Sequence, residues 1–310
     1  MQERQELDCG RVSSVRTGAY VVLVSLSVGA GFQAFLASLV PTPTQVAATT
    51  KHKDSVRAVL DARFGTYRFF QSGSFSHGTG VRYYSDVDYF ASLKTTKPQS
   101  SDSALASLKG ALQSHYPSTT VKVRRPAVVI EFASGLETFE LVPGWLVRGT
   151  DNSRVYHIPG PRGGWLESAP DAHRAYVNDS NGKPAGGAKG LARLLKAWKY
   201  YRSVPVSSFY LEMRAAKYMA GEDSIIWSID LRRILSELSV ADLAAMNDPS
   251  GLTGRIHAYS SDSSKADALS KLERALTRAN RACTAENEGR MPAAFEAWDV
   301  LFNGHFPSYG

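Results

Sequence analysis

The sequence predicts an α+β protein in which a mixed β-sheet with flanking helices is followed by an all-helical part. Three patterns favour this class. Apolar stripes at helical spacing precede residue 65, short β-rich runs occupy 67–156, and helical periodicity dominates from residue 170 onward. A Pro- and Gly-rich connection at 159–164 separates the second region from the third. We expect a ligand-binding cleft between the sheet part and the helical part.

The composition is that of an ordinary globular protein with a mild preference for polyanions. The chain has 310 residues, 43% of them hydrophobic and 21% charged, with a formal net charge of +7. No run of five like charges occurs, which excludes a basic tail for gripping nucleic acid. The two cysteines, Cys9 and Cys283, match no zinc or redox spacing, so we expect no disulfide framework and a cytoplasmic protein.

One uncharged stretch, between Arg16 and Lys51, is long enough to raise the question of a membrane span. Polar residues and glycines dilute it, and its second half has apolar residues at helical spacing, including Phe32, Phe35 and Leu39. We therefore expect a helix packed in a protein core. Residues 1–27 show no periodicity and are predicted to be a poorly ordered N-terminal extension.

The remaining elements follow from their local patterns. Prolines at 41 and 43 end the first helix, and Thr44 is expected to cap a second helix with Val56, Val59 and Leu60 on its apolar face. A helix over 101–116 is predicted to interrupt the strands. The predicted strands are 67–71, 84–92, 127–132, 137–142 and a weaker 145–156. The predicted later helices are 170–178, 188–201, 206–220, 224–237, 263–287 and 292–302.

Two acids in "SDVDYF" alternate along a predicted strand. Residues i and i+2 of a strand point to the same face, so Asp86 and Asp88 should point the same way, with Val87 turned into the core. A pair of Mg²⁺ ions bound by carboxylates can activate a hydroxyl and stabilise a leaving pyrophosphate. A third carboxylate could come from Glu131, Glu137 or Glu140, and Glu140 is the strongest candidate because it lies between apolar neighbours.

A small turn precedes these acids. Gly73 and Ser74 follow the strand predicted at 67–71, and a glycine lets backbone amides approach phosphate oxygens closely. His77, Thr79 and Arg82 on the following connection could add hydrogen-bond donors. Each feature alone is weak, because a Gly-Ser pair is usually only a turn and Asp-x-Asp usually only a solvated strand edge. Together they predict a site for a triphosphate and its magnesium.

The combined stretch "SGSFSHGTGVRYYSDVDYF" resembles the signature of the DNA polymerase β-type nucleotidyltransferase superfamily. Within it, the chain resembles the SMODS, or CD-NTase, enzymes, which are bacterial relatives of cyclic GMP-AMP synthase and oligoadenylate synthase. The likeness runs from about Gly31 to the C-terminus. It includes "FELVPGW", "GGWLESAPDAH", "LLKAWK", "SSFYLE" and "WDVLFNGHFPSYG".

The resemblance implies a role for each matching position. The family fold would divide the chain into a nucleotidyltransferase core with N-terminal helices over 28–160 and an oligoadenylate synthase-like helical domain over 161–310. The carboxylates would hold two Mg²⁺ ions, with Mn²⁺ as an alternative, and the family usually has Asp where this chain has Glu140. The implied metal-binding and catalytic residues are Asp86, Asp88 and Glu140, and the implied nucleotide-binding residues are Gly73, Ser74, Lys196, Ser208 and Phe209.

The resemblance also implies a function. The chain would make a cyclic di- or trinucleotide second messenger from NTPs, and this product would activate a separate effector in anti-phage (CBASS) signalling. Gly310 would be a possible attachment point for a regulatory or conjugating partner. Two alternatives remain: transfer of a nucleotide to an RNA end, protein or small molecule, and a catalytically silent nucleotide-binding protein. Arg124 and Arg125 are expected to be solvated strand-edge charges, and His173 has no assigned role.

Overall fold

A computed structural model describes residues 27–48, 50–84, 86–132 and 137–310. The extension predicted at 1–27 lies outside these residues except for Ser27, whose side chain caps the first helix, and Cys9 lies outside them too. The helices are α1 (Val28–Leu39), α2 (Pro43–Ala48), α3 (Lys53–Arg63), α4 (Gly73–His77), α5 (Ser101–His115), α6 (Pro170–Gly182), α7 (Ala188–Tyr201), α8 (Ser208–Met219), α9 (Trp227–Val240), α10 (Asp262–Asn287) and α11 (Met291–Leu301). The strands are β1 (Thr66–Gln71), β2 (Val87–Leu93), β3 (Thr120–Arg124), β4 (Ala127–Phe132), β5 (Glu137–Arg148), β6 (Val155–Pro159), β7 (Trp165–Ser168), β8 (Met246–Asn247) and β9 (Arg255–Ile256).

The main sheet is mixed, with strand order β1-β2-β5-β4-β3 and with β6 and β7 continuing from the far end of β5. Strands β2 and β5 run parallel, and the other neighbours run antiparallel. The long strand β5 pairs with β2 and β4 along its first part and with β6 along its last part. Together with the helices that follow, this sheet confirms the predicted α+β class.

Helices α3 and α5 cover one face of the sheet. Leu60 of α3 and Leu108 of α5 pack in one hydrophobic cluster with Tyr89 of β2 and Leu141 of β5. Since strand side chains alternate between faces, the residues between these core positions point to the opposite face. That opposite face lies towards the helical part of the protein.

The helical part has its own, larger core, and α1 belongs to it. The Phe32 ring meets the Trp298 ring edge to face at a centroid distance of 5.0 Å, and Phe35 lies 4.5 Å from Phe302. Helix α1 packs against α7, α9 and α11. This confirms α1 as a core-packed helix. Among the described residues, no helix is long and apolar enough to cross a membrane. The domain boundary expected at residue 160 falls in the turn between β6 and β7 and stays a prediction.

Several local predictions were wrong. Thr44 lies inside the short helix α2 instead of capping the next helix, and α3 begins after His52 without a side-chain cap. The connection at 159–164 is the turn of the β6–β7 hairpin, which continues the sheet. The weak strand at 145–156 is the end of β5, a short turn and the start of β6. Strand β3 and helix α4 were not anticipated.

Candidate active site

A cavity of about 580 Å³ lies between the sheet and the helical part. Its walls come from β2, β3, β5, the α4 turn, α7 and the start of α8. All eight residues that the sequence proposes for the site line this cavity: Gly73, Ser74, Asp86, Asp88, Glu140, Lys196, Ser208 and Phe209. The structure therefore brings together residues that are up to 136 positions apart, from Gly73 to Phe209.

The sheet register places the acids side by side. Asp88 on β2 is the direct neighbour of Glu140 on β5 across the parallel pair, and both point away from the face that α3 and α5 cover. Val87 packs against that covered face. Glu131, the competing candidate on β4, pairs instead with Lys122 of β3. Of these two candidates for a third acid, Glu140 is thus the one that lines the cavity with the Asp pair.

The Gly-Ser turn forms the first residues of the five-residue helix α4 and lies directly on Asp88. Gly73 has a backbone φ of +57°, and a Cβ placed there would lie 2.1 Å from Asp88 Oδ2. A side chain at this position would therefore collide with the carboxylate as well as strain the backbone. The backbone N–H of Ser74 donates a hydrogen bond to Asp88. The turn and the acid thus form one unit.

The surroundings of Asp88 disfavour the charged form of its carboxyl group. Burial, together with the nearby charges of Glu212 and Asp86, raises its pKa to about 7, although the ammonium of Lys196 opposes the shift. A carboxylate in such surroundings gains free energy from an added positive charge. At a divalent-cation site, the bound cation supplies this positive charge.

Arg124, at the end of β3, supplies positive charge to this end of the cavity. Its guanidinium donates to Asp86 Oδ2 at 2.6 Å and also pairs with Glu140. Arg124 is half-exposed on the edge strand, as expected for a solvated edge charge, but its pairing with two acids of the site was not predicted. The missed signal was the alternating "TVKVR", which reads as a strand. Arg125 donates to the carbonyl oxygen of Gly160 at 2.8 Å and pairs with Asp102.

Asp86, Asp88 and Glu140 offer carboxylate oxygens, which are the ligands that a hard divalent cation prefers. Two of these carboxylates, Asp86 and Glu140, already face the same guanidinium group of Arg124. As arranged, however, no group of three His, Cys, Asp or Glu side chains among the described residues is close enough to hold a metal ion. Arg124 would have to withdraw from Asp86 and Glu140 for these oxygens to reach one. The two-metal site at Asp86, Asp88 and Glu140 stays a prediction.

Lys196 on α7 belongs to the cavity lining, and its side chain is fully buried. Its ammonium donates to Glu212 Oε1 at 2.7 Å and to the carbonyl oxygen of Thr79 at 3.1 Å. His77 Nδ1 lies 2.8 Å from the other oxygen of Glu212, and the Thr79 hydroxyl donates to Glu212 as well. Burial acts to raise the pKa of Glu212, but Lys196 and His77 hold it well below its usual range. Sequence reasoning missed Glu212, which lies one helical turn beyond Ser208.

Lys199, one turn further along α7, lies at the cavity with Tyr200. Its ammonium donates to Ser208 Oγ at 2.5 Å, and the Tyr200 hydroxyl lies 3.3 Å from the same oxygen. Ser208 is the first residue of α8, and Ser207 caps that helix by accepting a hydrogen bond from the N–H of Tyr210. The N-terminal end of α8, with its partial positive charge, thus lines the cavity next to Lys199.

Phe209 forms an aromatic part of the same wall. Its ring meets the ring of His173 at a centroid distance of 4.9 Å and an interplanar angle of 63°. His173 is buried, and its Nε2 lies 3.2 Å from Asp248 Oδ1. Asp248 in turn accepts hydrogen bonds from Ser250 and Thr253. The structure thus places His173, which had no assigned role, directly behind Phe209.

A mixed sheet that presents paired acids beside a Gly-Ser turn, with a helical part closing the cleft, defines the class: a protein with the polymerase β-type nucleotidyltransferase fold. The family model of the Second Messenger Oligonucleotide or Dinucleotide Synthetase domain (SMODS) matches residues 26–181, half of the chain. The chain belongs to the SMODS family, as the sequence motifs predicted.

Comparisons with individual proteins agree with this assignment. A relative from Bacillus cereus (strain VD146), named a probable cyclic nucleotide synthase, is 23% identical over 198 residues, which cover 63% of this chain and 59% of that protein. The structure of E. coli MS115-1 CdnC with ATP has a TM-score of 0.71 and 18% identity, covering 90% of this chain and 98% of CdnC. The structure of Bradyrhizobium diazoefficiens CdnG with GTP has a TM-score of 0.68 and 14% identity, covering 89% and 97%. At these identities the solved structures establish the fold.

Proposed function

We propose that this protein is a metal-dependent nucleotidyltransferase that makes a cyclic oligonucleotide from NTPs. A 2′- or 3′-hydroxyl of one nucleotide would attack the α-phosphorus of the next. The new P–O bond forms as the bond to pyrophosphate breaks and the hydroxyl proton is lost, and a second such step closes the ring. The observation that supports this most strongly is the single cavity in which the Asp86–Asp88 pair, Glu140 and the Gly73–Ser74 turn meet in a SMODS-family chain.

We assign metal binding to the acids of the cavity and phosphate binding to the Gly-Ser turn and Ser208. Asp86, Asp88 and Glu140 would hold Mg²⁺, or Mn²⁺, which when bound activates the attacking hydroxyl and neutralises charge on the phosphates. The backbone of Gly73 and Ser74 brings amide donors to within reach of a phosphate, because Gly73 has no side chain to keep them apart. Ser208 would supply a hydroxyl from the opposite wall, and Lys196 belongs to the cavity lining, where it pairs with Glu212.

Phe209 offers the ring face on which a nucleobase can stack, since base–aromatic stacking tolerates any base. His173, whose Nε2 lies near Asp248, packs against that ring. We further propose that the product is a second messenger for a separate effector in cytoplasmic anti-phage signalling. A conjugating partner at Gly310 stays a prediction.

The proposal is tested with purified protein, the four NTPs labelled at the α-phosphate, and Mg²⁺. A phosphatase-resistant product formed without any added acceptor is expected, and mass spectrometry would identify its bases and ring size. The Asp86→Ala/Asp88→Ala double variant should make none while keeping the wild-type circular dichroism spectrum. Product that forms only when RNA, protein or a small molecule is added would overturn cyclisation in favour of an acceptor-dependent enzyme. Unchanged product in the double variant would overturn the site.

A further inference from the structure

We propose that Arg124 is the resident counter-cation of the metal site: it holds Asp86 and Glu140 in the free protein and is displaced when a divalent cation binds to them. This inference rests on the proposed function and makes Arg124 a positioning residue for the metal-binding acids. Its guanidinium pairs with both carboxylates, although Asp86 lies just before β2 and Glu140 lies on β5. One side chain of β3 therefore joins two of the three acids.

The contacts of Arg124 are confined to these acids. Among the described residues, its guanidinium has hydrogen-bond and ion-pair partners only in Asp86 and Glu140. Its side chain is 51% exposed. A guanidinium that is half in water can leave its ion pairs at a small free-energy cost, because water replaces the lost contacts. Arg124 is thus held by the same charges that a bound metal would neutralise.

The neighbouring Arg125 is anchored in a different way. It donates to the carbonyl oxygen of Gly160 at 2.8 Å and to the hydroxyl of Ser101 at 3.2 Å, and it pairs with Asp102. These groups are separate from the proposed metal site, so a cation bound there leaves them in place. Of the two adjacent arginines that line the cavity, Arg124 is therefore the one whose partners a metal would take.

A guanidinium and a divalent cation compete for the same carboxylate oxygens, because two cations that share one pair of carboxylates repel each other at short distance. With Arg124 paired to Asp86 and Glu140, no group of three His, Cys, Asp or Glu side chains in the described part of the chain is close enough to hold a metal ion. Removing this charged residue from the site should therefore strengthen metal binding. A residue that only supports the shape of the site would have the opposite effect when it is removed.

The test measures metal binding without turnover. Binding of Mn²⁺ to the nucleotide-free protein is followed by electron paramagnetic resonance for wild type, Arg124→Met and Arg124→Lys. We expect Arg124→Met to bind Mn²⁺ at least about 10-fold more tightly, since it lacks both the competing hydrogen bonds and the repulsion between two cations. Arg124→Lys should lie between wild type and Arg124→Met, because lysine keeps the charge but cannot donate to two carboxylates as a planar fork.

Lys122→Met is the matched control. Lys122 lies two residues before Arg124 on β3, so both side chains are on the same face of the strand. It is exposed to the same degree, at 50%, and pairs with Glu131. Its replacement removes the same charge from the same strand, and we expect the Mn²⁺ affinity to change by less than about 3-fold because solvent and salt screen this more distant charge. In Arg124→Met/Asp88→Asn the gain should disappear, which locates the ion at the acids.

Each result decides the question. Equal or weaker Mn²⁺ binding in Arg124→Met, an equal gain in Lys122→Met, or a gain that persists with Asp88→Asn would overturn the assignment. If Arg124→Met does not fold, as judged by circular dichroism, Arg124→Gln removes the charge, keeps a polar side chain and provides the same comparison. The two proposals fail separately. A protein that binds no Mn²⁺ with or without NTP contradicts the proposed function, whereas Mn²⁺ binding that ignores Arg124 contradicts only this inference.

Discussion

Gly73 and Asp88 lie so close together that a Cβ on Gly73 would stand 2.1 Å from the carboxylate oxygen Oδ2 of Asp88. The Gly-Ser turn and the second acid of the Asp pair are therefore in direct contact, although fifteen positions separate the two residues in sequence. The short distance explains why this turn contains glycine: both the positive φ and the neighbouring carboxylate exclude a side chain.

Gly73→Ala should therefore abolish the proposed activity. The added methyl group must displace either Asp88 or the turn, and a displacement of about 1 Å at a catalytic group can cost about 100-fold in rate. Product formation from labelled NTPs measures the effect. Gly289→Ala is the matched control, since Gly289 has a similar φ of +73° but no atom within 4 Å of a new Cβ. It should lose about 1 kcal/mol of stability and keep its activity. Equal activity in the two variants would contradict the argument.

Glu140 should be replaceable by aspartate but not by glutamine. Aspartate keeps the charge beside Asp88 and shortens the reach by about one C–C bond, so we expect Glu140→Asp to retain activity to within about 10-fold. Glutamine keeps the length and removes the charge that a divalent cation needs, so Glu140→Gln should lose at least about 100-fold. Steady-state rates at several Mg²⁺ and Mn²⁺ concentrations measure both effects. Glu131→Gln, in the surface pair with Lys122, is the control and should leave the rate unchanged.

The Lys196–Glu212 pair should be important for stability. Replacing either residue by methionine leaves a buried charge without its partner, and we expect each single variant to lose about 3–5 kcal/mol of unfolding free energy. The double variant should lose clearly less than the sum, because neither charge is then left alone. Urea denaturation of the four proteins completes this cycle. Additive losses would mean that the two side chains do not depend on each other.

Lys199 should give the free protein a measurable pH dependence. Its pKa is about 8 in the folded state, against 10.5 for an unperturbed lysine, so between these pH values the unfolded chain binds more protons than the folded one. The free energy of unfolding contributed by this group therefore rises with pH across that window. Urea denaturation from pH 7.5 to about 10.5 should show the rise in wild type. The control Lys109→Met, which replaces an exposed lysine of α5, should show the same rise. In Lys199→Met the rise should be smaller. A constant difference between wild type and Lys199→Met at all pH values would contradict this.

Local patterns predicted the class and the strand that bears Asp88, because these depend on short-range spacing. Lys196, Ser208 and Phe209 were assigned only through the resemblance to the family, and the structure places them in the cavity. The sequence predicted the bounds of α7 as 188–201, since that helix has a strong apolar stripe. What it missed depends on contacts between distant segments. Whether Lys196 is solvated depends on Glu212 on the next helix, and Arg124 reaches Asp86 and Glu140 only through the pairing of β3 with β4 and of β4 with β5.

The prediction that the Pro/Gly-rich segment at 159–164 separates two parts of the chain failed for a different reason. Prolines and glycines mark a turn correctly, but they do not say whether the turn ends a domain or joins two strands of a sheet. Here the pairing of Ile158 with Leu166 makes it a hairpin. Thr44 failed as a cap for a similar reason, because Pro43 is itself favourable as the first residue of the helix α2.

The position of α1 has a consequence for how the chain is made. This helix leaves the ribosome before the whole sheet, yet Phe32 and Phe35 find their partners in α11, some 260 residues later. Until synthesis is nearly finished, its apolar side lacks the surface that covers it, and closing so long a loop is slow. Nascent chains stalled after the sheet should therefore recruit chaperones at α1, and a helical fragment beginning at residue 170, after β7, should become soluble when a peptide spanning 27–40 is supplied in trans.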